Sequence, residues 1–572
     1  MKINDVEKIT GLTAKAIRLY ESKGLISVSR DDNGYRNYTE GDVEALNEIK
    51  LFRSVGISIS DIKLYMFGVM SIDELMDKRK AEILKESGRN SEKYRICESI
   101  LGKASFEDVG YTESFTENEK MRPDTYGAAS VGIDIGTTTI SAVVYDVDNK
   151  EQLEAYTLPH NSYISTGVFS EQSASVILEK SEKLLYHILS TYENVVSIGI
   201  TGQMHGIVYI DENGQAVSSL INWQDKRADI ELENGKNTCE LIYDKTNEAI
   251  ATGYGIATHY YNMLKGIVPA EAVGLCTVMD LLAMKICGNK KPVTHTSVGA
   301  SLGLFDTKEG CFKRDKLLAL GIDEGFLPEV TEKSLVIGKC RGICVSVPIG
   351  DNQASFLGSV DNNEDSMLVN IGTGSQISSV SNDYIEVDKE LELRPLIEGK
   401  YLVCGSALCG GFAYSMVEEF FRSYTVSAGA QEASQYSIMN QLAKEAYENN
   451  ESGLLVDAYF CGKRSDPNLR GSIKSIDRHS FTPSALILGV LKGMCNELYE
   501  LYQHVPNKKT HMVASGGAVK RTEVLRNIMA ERFGVSVSTN RVEEEAATGV
   551  ALFSALATKK IKYNNGFSDY LN

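Results

Sequence analysis

Val131–Asp146 reads VGIDIGTTTISAVVYD. An apolar β-prone run leads into Asp134-Ile135-Gly136-Thr137-Thr138-Thr139, after which a second β-prone run begins. Glycine permits a tight turn and lets backbone N–H groups approach a phosphate, hydroxyls add donors, and one carboxylate can hold a magnesium ion, usually through water. The stretch predicts a strand, a loop suited to ATP phosphates and a return strand. It lacks the GK[ST] ending of a P-loop, and a glycine hairpin with β-prone threonines is the plainer reading of the same residues.

A weaker copy lies downstream. LVNIGTGSQ from Leu368 places an apolar strand before Asn370 and Gly372-Thr373-Gly374-Ser375. Asparagine in place of the acid is sensible, because a second carboxylate would repel a polyphosphate. Further on, ASGGAVK from Ala514 ends another strand in Gly516, Gly517 and Ala518, where backbone can come close to adenine or ribose. A strand-to-helix turn explains that segment equally well. Apolar strands alternate with helical segments beyond Gly127, which predicts α/β architecture, and the two copies suggest two related domains facing one cleft.

Between the copies stands VPIGDNQASFLGS, with Asp351 after a glycine at the expected end of a strand. Phosphoryl transfer to a hydroxyl needs a group to accept its proton, and Asp351 is the candidate base. Upstream, ITGQMHG supplies Gln203, Met204 and His205, and NWQDKR supplies Trp223, Asp225 and Arg227. Amide, imidazole and acid together can hydrogen-bond a polyol along several hydroxyls.

The chain has 572 residues and a formal charge of -18, too long for one ordinary core and too acidic for a general nucleic-acid or anionic-membrane binder. Residues 1–70 are balanced, however, with ten Lys or Arg and ten Asp or Glu. A local DNA-binding surface stays open there. The eleven cysteines are scattered without a CxxC pair, which fits a reducing compartment, and Cys340, Cys344, Cys404 and Cys409 read as small apolar residues rather than metal ligands. No signal peptide or membrane span is expected, so the cytoplasm is the expected location.

Residues 1–68 read as short helices: NDVEKITGL, AKAIRLYESKGL, TEGDVEALNEIKLFRSVG and SISDIKLYMFG. Asn4, Thr39 and Ser58 or Ser60 are the expected caps, and Gly24 and Gly56 the expected stops. Asn33-Gly34 is a hairpin signal, so the order is helix, turn, helix and a small wing. Ser71 to Leu101 is expected to be one helix, followed by a polar linker to Thr125.

In their order, GIDIGTTT, TGQMHG, WQDKR, GDNQAS, NIGTGS, SGGAVKR and EEEAATGVAL resemble the FGGY carbohydrate kinases over nearly all of residues 128–560. That resemblance implies a sugar kinase of two ribonuclease-H-like (actin-like ATPase) domains, 126–361 and 362–572, around a cleft holding ATP and Mg2+. It gives Asp351 the role of base and Asp134 the metal side. Gly136, Thr137, Thr138, Gly372, Thr373, Gly374, Gly516, Gly517 and Ala518 become the nucleotide contacts. TGQMHG resembles the xylulokinases, whereas CGSALCGGFAYS and FCGKRSDPNLRGSI resemble sedoheptulokinases more, so sedoheptulose is the expected substrate and xylulose the second. The adenine motif departs from many relatives in lacking a third consecutive glycine and a downstream asparagine. A sugar-sensing regulator with a non-catalytic kinase fold, or an enzyme whose N-terminal module serves only in dimerisation, are the other functions weighed.

Residues 1–70 resemble the MerR regulators, winged helix-turn-helix proteins, in GLTAKAIRLYESKGLI and NGYRNYTEGDVEALNEIKLFRSVGISISDIK. The likeness implies that Thr13, Lys15, Arg18 and Tyr20, with Arg36 and Tyr38 on the wing, face double-stranded DNA. It also implies that 71–125 form a dimerisation helix and linker, giving a homodimer on palindromic DNA.

Overall fold

The computed structural model describes residues 1–30, 35–86, 92–100, 126–232, 235–361, 364–451, 453–463, 466, 468–540 and 542–571. Helices α1 (Ile3–Thr10), α2 (Ala14–Ser22), α3 (Glu40–Ser54) and α4 (Ile59–Met66) open the chain, with β1 (Ser29–Arg30) and β2 (Arg36–Asn37) paired antiparallel between α2 and α3. Thr39 and Ser58 cap α3 and α4 as expected, accepting from the amides of Asp42 and Asp61 at 3.1 and 3.0 Å. At α1 the cap is Lys2 rather than Asn4, because Asp5 is the acid that reaches back to the cap amide, at 3.2 Å. The expected Asn33-Gly34 turn lies outside the described residues, as does the expected linker at 101–125.

One long helix was expected over 71–101. The structure instead has α5 (Ile72–Glu86) and α6 (Glu92–Ile100), which pack against each other. Ile83, Cys97 and Ile100 are buried, so the sparse apolar residues of this segment close a helix pair rather than lining one extended seam.

The larger part contains two six-stranded mixed sheets. The first uses β3 (Ala129–Ile135), β4 (Thr139–Asp146), β5 (Glu151–Pro159), β6 (Val195–Gly202), β7 (Val336–Cys340) and β8 (Ile343–Ser346), in the order β7-β8-β6-β3-β4-β5. The second uses β9 (Ser366–Ile371), β10 (Ser375–Ser381), β11 (Glu392–Pro395), β12 (Tyr401–Ala407), β13 (His511–Ser515) and β14 (Ser536–Thr539), in the order β11-β12-β10-β9-β13-β14. In each, a first strand stands between an antiparallel meander on one side and parallel strands on the other, with β7 added antiparallel at that edge of the first sheet. The repeated Gly-Thr turns close the β3–β4 and β9–β10 hairpins, at equivalent places in the two sheets.

Helix α7 (Ala174–Thr191) covers the first sheet, and α8 (Asp351–Leu357) starts at the candidate base. The late helix α9 (Glu545–Ala557) packs on α8 and on β3, β6 and β4, and not on its own half alone. This late helix of the expected 362–572 lobe therefore ties that lobe to the first sheet. Glycines bring these backbones together: a Cβ on Gly549 would lie 1.9 Å from the Ala354 carbonyl, and one on Gly132 would lie 1.9 Å from that of Ala547.

The N-terminal helices dock on β5, the edge strand of the first sheet. Lys63 of α4 is 1 % exposed and donates to both oxygens of Glu154 at 2.6 and 2.8 Å. Glu154 also accepts from the phenols of Tyr156 and Tyr192, each at 2.7 Å. The Phe67 ring lies 4.3 Å from that of buried His187 on α7.

Candidate functional site

Strand β3 delivers Asp134 to the point where the chain turns through Gly136. Its Oδ1 is buried and has no hydrogen-bond partner among the described residues. Burial, then the charges of Asp351 and Glu544, push its carboxyl up to about 8. Asp351 is the first residue of α8, and burial raises it to about 6, against the backbone amide of Asn352 and the charge of Arg394. Its Oδ1 accepts from the Asn352 amide at 2.6 Å. An orphan acceptor amid like charges fits a cation that arrives with its own ligands. Among the described residues no group of three or more His, Cys, Asp or Glu is arranged to hold a metal unaided.

The first phosphate-type loop is held from outside. The amide of His160 donates to the Thr138 carbonyl at 3.1 Å, and its Nε2 lies 3.2 Å from that of Gly136. Gln172 donates to the Thr137 carbonyl at 2.7 Å, and the indole of Trp223 to the Thr137 hydroxyl at 3.0 Å. With its carbonyls engaged behind it, the loop can present amides and hydroxyls to an anion.

The second loop lies in a cavity of about 390 Å³ whose walls include Gly372, Thr373, Gly411, Gly517, Ala518 and Arg521. Segments distant in sequence, expected to contact one nucleotide, thus line one hollow. The cavity's Gly374 neighbour lies on the hairpin itself, and Gly516, at φ +98°, ends β13, where a Cβ would lie 2.3 Å from the Ile371 carbonyl. Sequence reading missed Gly410 and Gly411 as site residues. Their amides bond the carbonyls of Thr373 and Gly372 at 3.0 and 2.8 Å, and a Cβ on either would come within 2.6 Å of this loop.

Among the expected sugar contacts, Gln203 and Met204 are buried beside the loop and the base. Gln203 donates to Gln172 at 3.0 Å, and the Met204 sulfur stands 3.8 Å from the side-chain Nδ2 of Asn352. His205 sits in a left-handed turn at φ +72°, with Nδ1 2.7 Å from the Ser301 carbonyl and its ring 4.4 Å from that of Tyr254. Trp223 remains 46 % exposed. Asp225 and Arg227 are both buried and paired at 2.8 Å, with Arg227 also bonded to Glu171 and Asn262 and Asp225 to the Ser170 amide. These bonds brace the loop that carries Trp223.

Two further residues converge here. Glu544, held at φ +55° before α9, accepts from the Thr157 hydroxyl at 2.6 Å and places its charge near Asp134. Arg394, on edge strand β11 of the second sheet, is pinned by Glu392 at 2.5 Å while its charge reaches Asp351. The neighbouring Pro395 carbonyl accepts from Gln353 of α8 at 2.9 Å. EEEAATGVAL was a motif without a residue role, and nothing local distinguished Arg394.

In the N-terminal module, Thr13, Lys15 and Arg18 are exposed on the first turns of α2, with Thr13 its cap. Arg36 is half-buried and paired with Glu21 at 2.5 Å. Tyr20 and Tyr38 are corrected: each is 2 % exposed and packs inside the helical core instead of facing outward.

Paired sheets, each turning through glycine and threonine, with carboxylates where they meet, define the class of two-lobed phosphotransferases. Comparison narrows this: residues 129–358 match the N-terminal domain and 367–558 the C-terminal domain of the FGGY family of carbohydrate kinases, and the chain belongs to that family. Residues 1–68 match the MerR HTH family regulatory proteins. The chain is 24 % identical over 472 residues to a xylulose kinase of Staphylococcus xylosus, covering 77 % of this chain and 93 % of that one. It is 23 % identical over 468 residues to a sedoheptulokinase of Mus musculus, covering 74 % and 96 %. A solved ligand-bound xylulose kinase from Lactobacillus acidophilus aligns over 78 % of this chain and 92 % of its own, with a TM-score of 0.67 and 19 % identity. Among the described residues no helix is long and apolar enough to cross a membrane.

Proposed function

We propose that this chain is an ATP- and Mg2+-dependent kinase that phosphorylates sedoheptulose on its terminal C7 hydroxyl, and that residues 1–70 bind double-stranded DNA in transcription regulation. The observation that carries the kinase reading is the cavity lined by Gly372, Thr373, Gly517 and Ala518, together with Asp134 and Asp351 at the junction of the two sheets. A carboxyl at about 6 is mostly ionised at neutral pH, so Asp351 is ready to take the acceptor's proton. Asp134 would hold the metal side, Gly136, Thr137 and Thr138 the phosphates, and Gln203, His205 and Trp223 the sugar. Bound Mg·ATP supplies the transferable phosphoryl group and counters its developing charge.

Xylulose is the second reading, favoured by the xylulose kinases among the relatives. A non-catalytic sensor is disfavoured, since both Gly-Thr loops and both aspartates are present. The deciding assay couples ATP consumption to sedoheptulose, xylulose and related sugars, with Asp351→Ala alongside. Turnover of sedoheptulose that fails in the variant is expected; unchanged activity in Asp351→Ala refutes the base, and preference for xylulose refutes the substrate.

For DNA, exposed Thr13, Lys15 and Arg18 at the start of α2 support the reading, with Arg36 positioned on the adjoining strand pair. A cytoplasmic homodimer on a palindromic site follows from it. Light scattering of the full chain tests the dimer, and fluorescence anisotropy with DNA from upstream of its own gene tests binding.

A further inference from the structure

We propose that Glu74 and Lys78 of α5, in the N-terminal module, are positioning residues of the kinase, clamping through β5 the loop that grips phosphate. An edge strand leaves a row of backbone groups without a neighbouring strand. Here lysines take up two of them. Lys78 of α5, paired with Asp61 at 2.5 Å, donates to the Thr157 carbonyl at 2.7 Å. Lys180 of α7 donates to the Pro159 carbonyl at 3.0 Å and is itself held by Glu74 of α5. The N-terminal half thus fixes β5 at alternate residues near its end.

From those residues the path to the cleft is short. The Thr157 hydroxyl donates to Glu544, whose charge bears on Asp134. The next residue after β5, His160, binds the carbonyls of Thr138 and Gly136 behind the phosphate-type loop. Moving α5 therefore moves β5, and moving the end of β5 shifts both the loop and Glu544. The coupling deepens the nucleotide reading given above and rests on it. Because linkage of binding free energies is reciprocal, DNA that displaces α4 and α5 changes nucleotide affinity by the same factor as nucleotide changes DNA affinity.

The test uses the full-length double variant Glu74→Gln/Lys78→Met, with Lys50→Met as a control that disturbs the module away from β5, where Lys50 bonds the Thr10 carbonyl. Amide hydrogen exchange is followed at 134–139 and 157–162, and Mg·ADP binding by calorimetry. The double variant is expected to exchange about tenfold faster in both segments and to bind Mg·ADP about tenfold more weakly, with KM for sedoheptulose unchanged and the control like the parent. Unaltered exchange at 134–139 overturns the clamp, as does an equal effect in the control. If the parent chain binds no Mg·ADP, the nucleotide reading fails, while the exchange rates still decide the clamp.

Discussion

Replacing Lys63 by Met should loosen the seam between the N-terminal module and the kinase. The substitution leaves Glu154, 9 % exposed at its side chain, without the cation that contacts both of its oxygens. Removing one partner of a buried ion pair costs about 3–5 kcal/mol, because an uncompensated charge remains inside. Two phenols continue to donate to Glu154, which places the expected cost at the lower end, about 3 kcal/mol. At 1.4 kcal/mol per decade, amides of 59–66 that exchange by local opening of this seam should exchange roughly a hundredfold faster. Native-state hydrogen exchange measures this directly and avoids a global melting curve, which for a multidomain chain is not a two-state quantity. In Lys63→Met/Glu154→Gln no charge is stranded, so much of the protection should return. Unchanged exchange in the single variant, or a double variant no better than the single, would refute the reasoning.

Arg394→Met should raise the Asp351 carboxyl above about 6, since burial already pushes it up and the guanidinium opposes that push; the acid limb of the kcat profile then moves to higher pH, and an unmoved limb counts against the contact. Burial, then the Lys63 charge, lowers His187 to about 4, so the neutral ring's contribution to stability is complete above an unfolded value near 6.5 and is lost as pH falls toward 4. The opening free energy at the Phe67 seam, taken from exchange rates divided by the intrinsic base-catalysed rate at each pH, should fall over that window and stay level between pH 7 and 8. Gly549→Ala puts a Cβ 1.9 Å from the Ala354 carbonyl, and such overpacking typically costs about 1–3 kcal/mol. Displacing α8 should also lower kcat at least tenfold, and full activity would show that the helices separate freely. Arg18→Ala should weaken DNA binding across sequences and reduce the salt slope by about one; loss of preference without a change in slope would make it a base-reading residue instead.

Local chemistry made much of the kinase half legible. Strand, glycine and hydroxyl recur at Asp134–Thr139 and Asn370–Ser375, and each signal is written within nine residues. Asp351 is singled out by the glycine before it and its place after an expected strand, and it stands first in α8. Tyr20 and Tyr38 are placed toward DNA by family likeness, which does not say which aromatic residues of this small domain fill its core, and both are buried. Glu544 lies within a recognised motif, EEEAATGVAL, but without a role, and Arg394 carries no local mark among 59 basic residues; both acquire meaning only when distant segments meet. The seam is different. Helix α4 reads ISDIKLYM, and Ile59, Ile62 and Leu64 around Lys63 are all buried. A lysine on such a stretch must snorkel to solvent or find a carboxylate, and burial makes the second choice obligatory. Its partner lies 91 residues away, beyond the segment separating the two halves. A charge placed so deeply therefore announced that a partner existed, though not that the partner would be the edge strand bearing on the phosphate loop. The same requirement gives the seam its direction: a lysine buried this deeply is costly without its carboxylate, so the module has strong reason to dock where Glu154 stands.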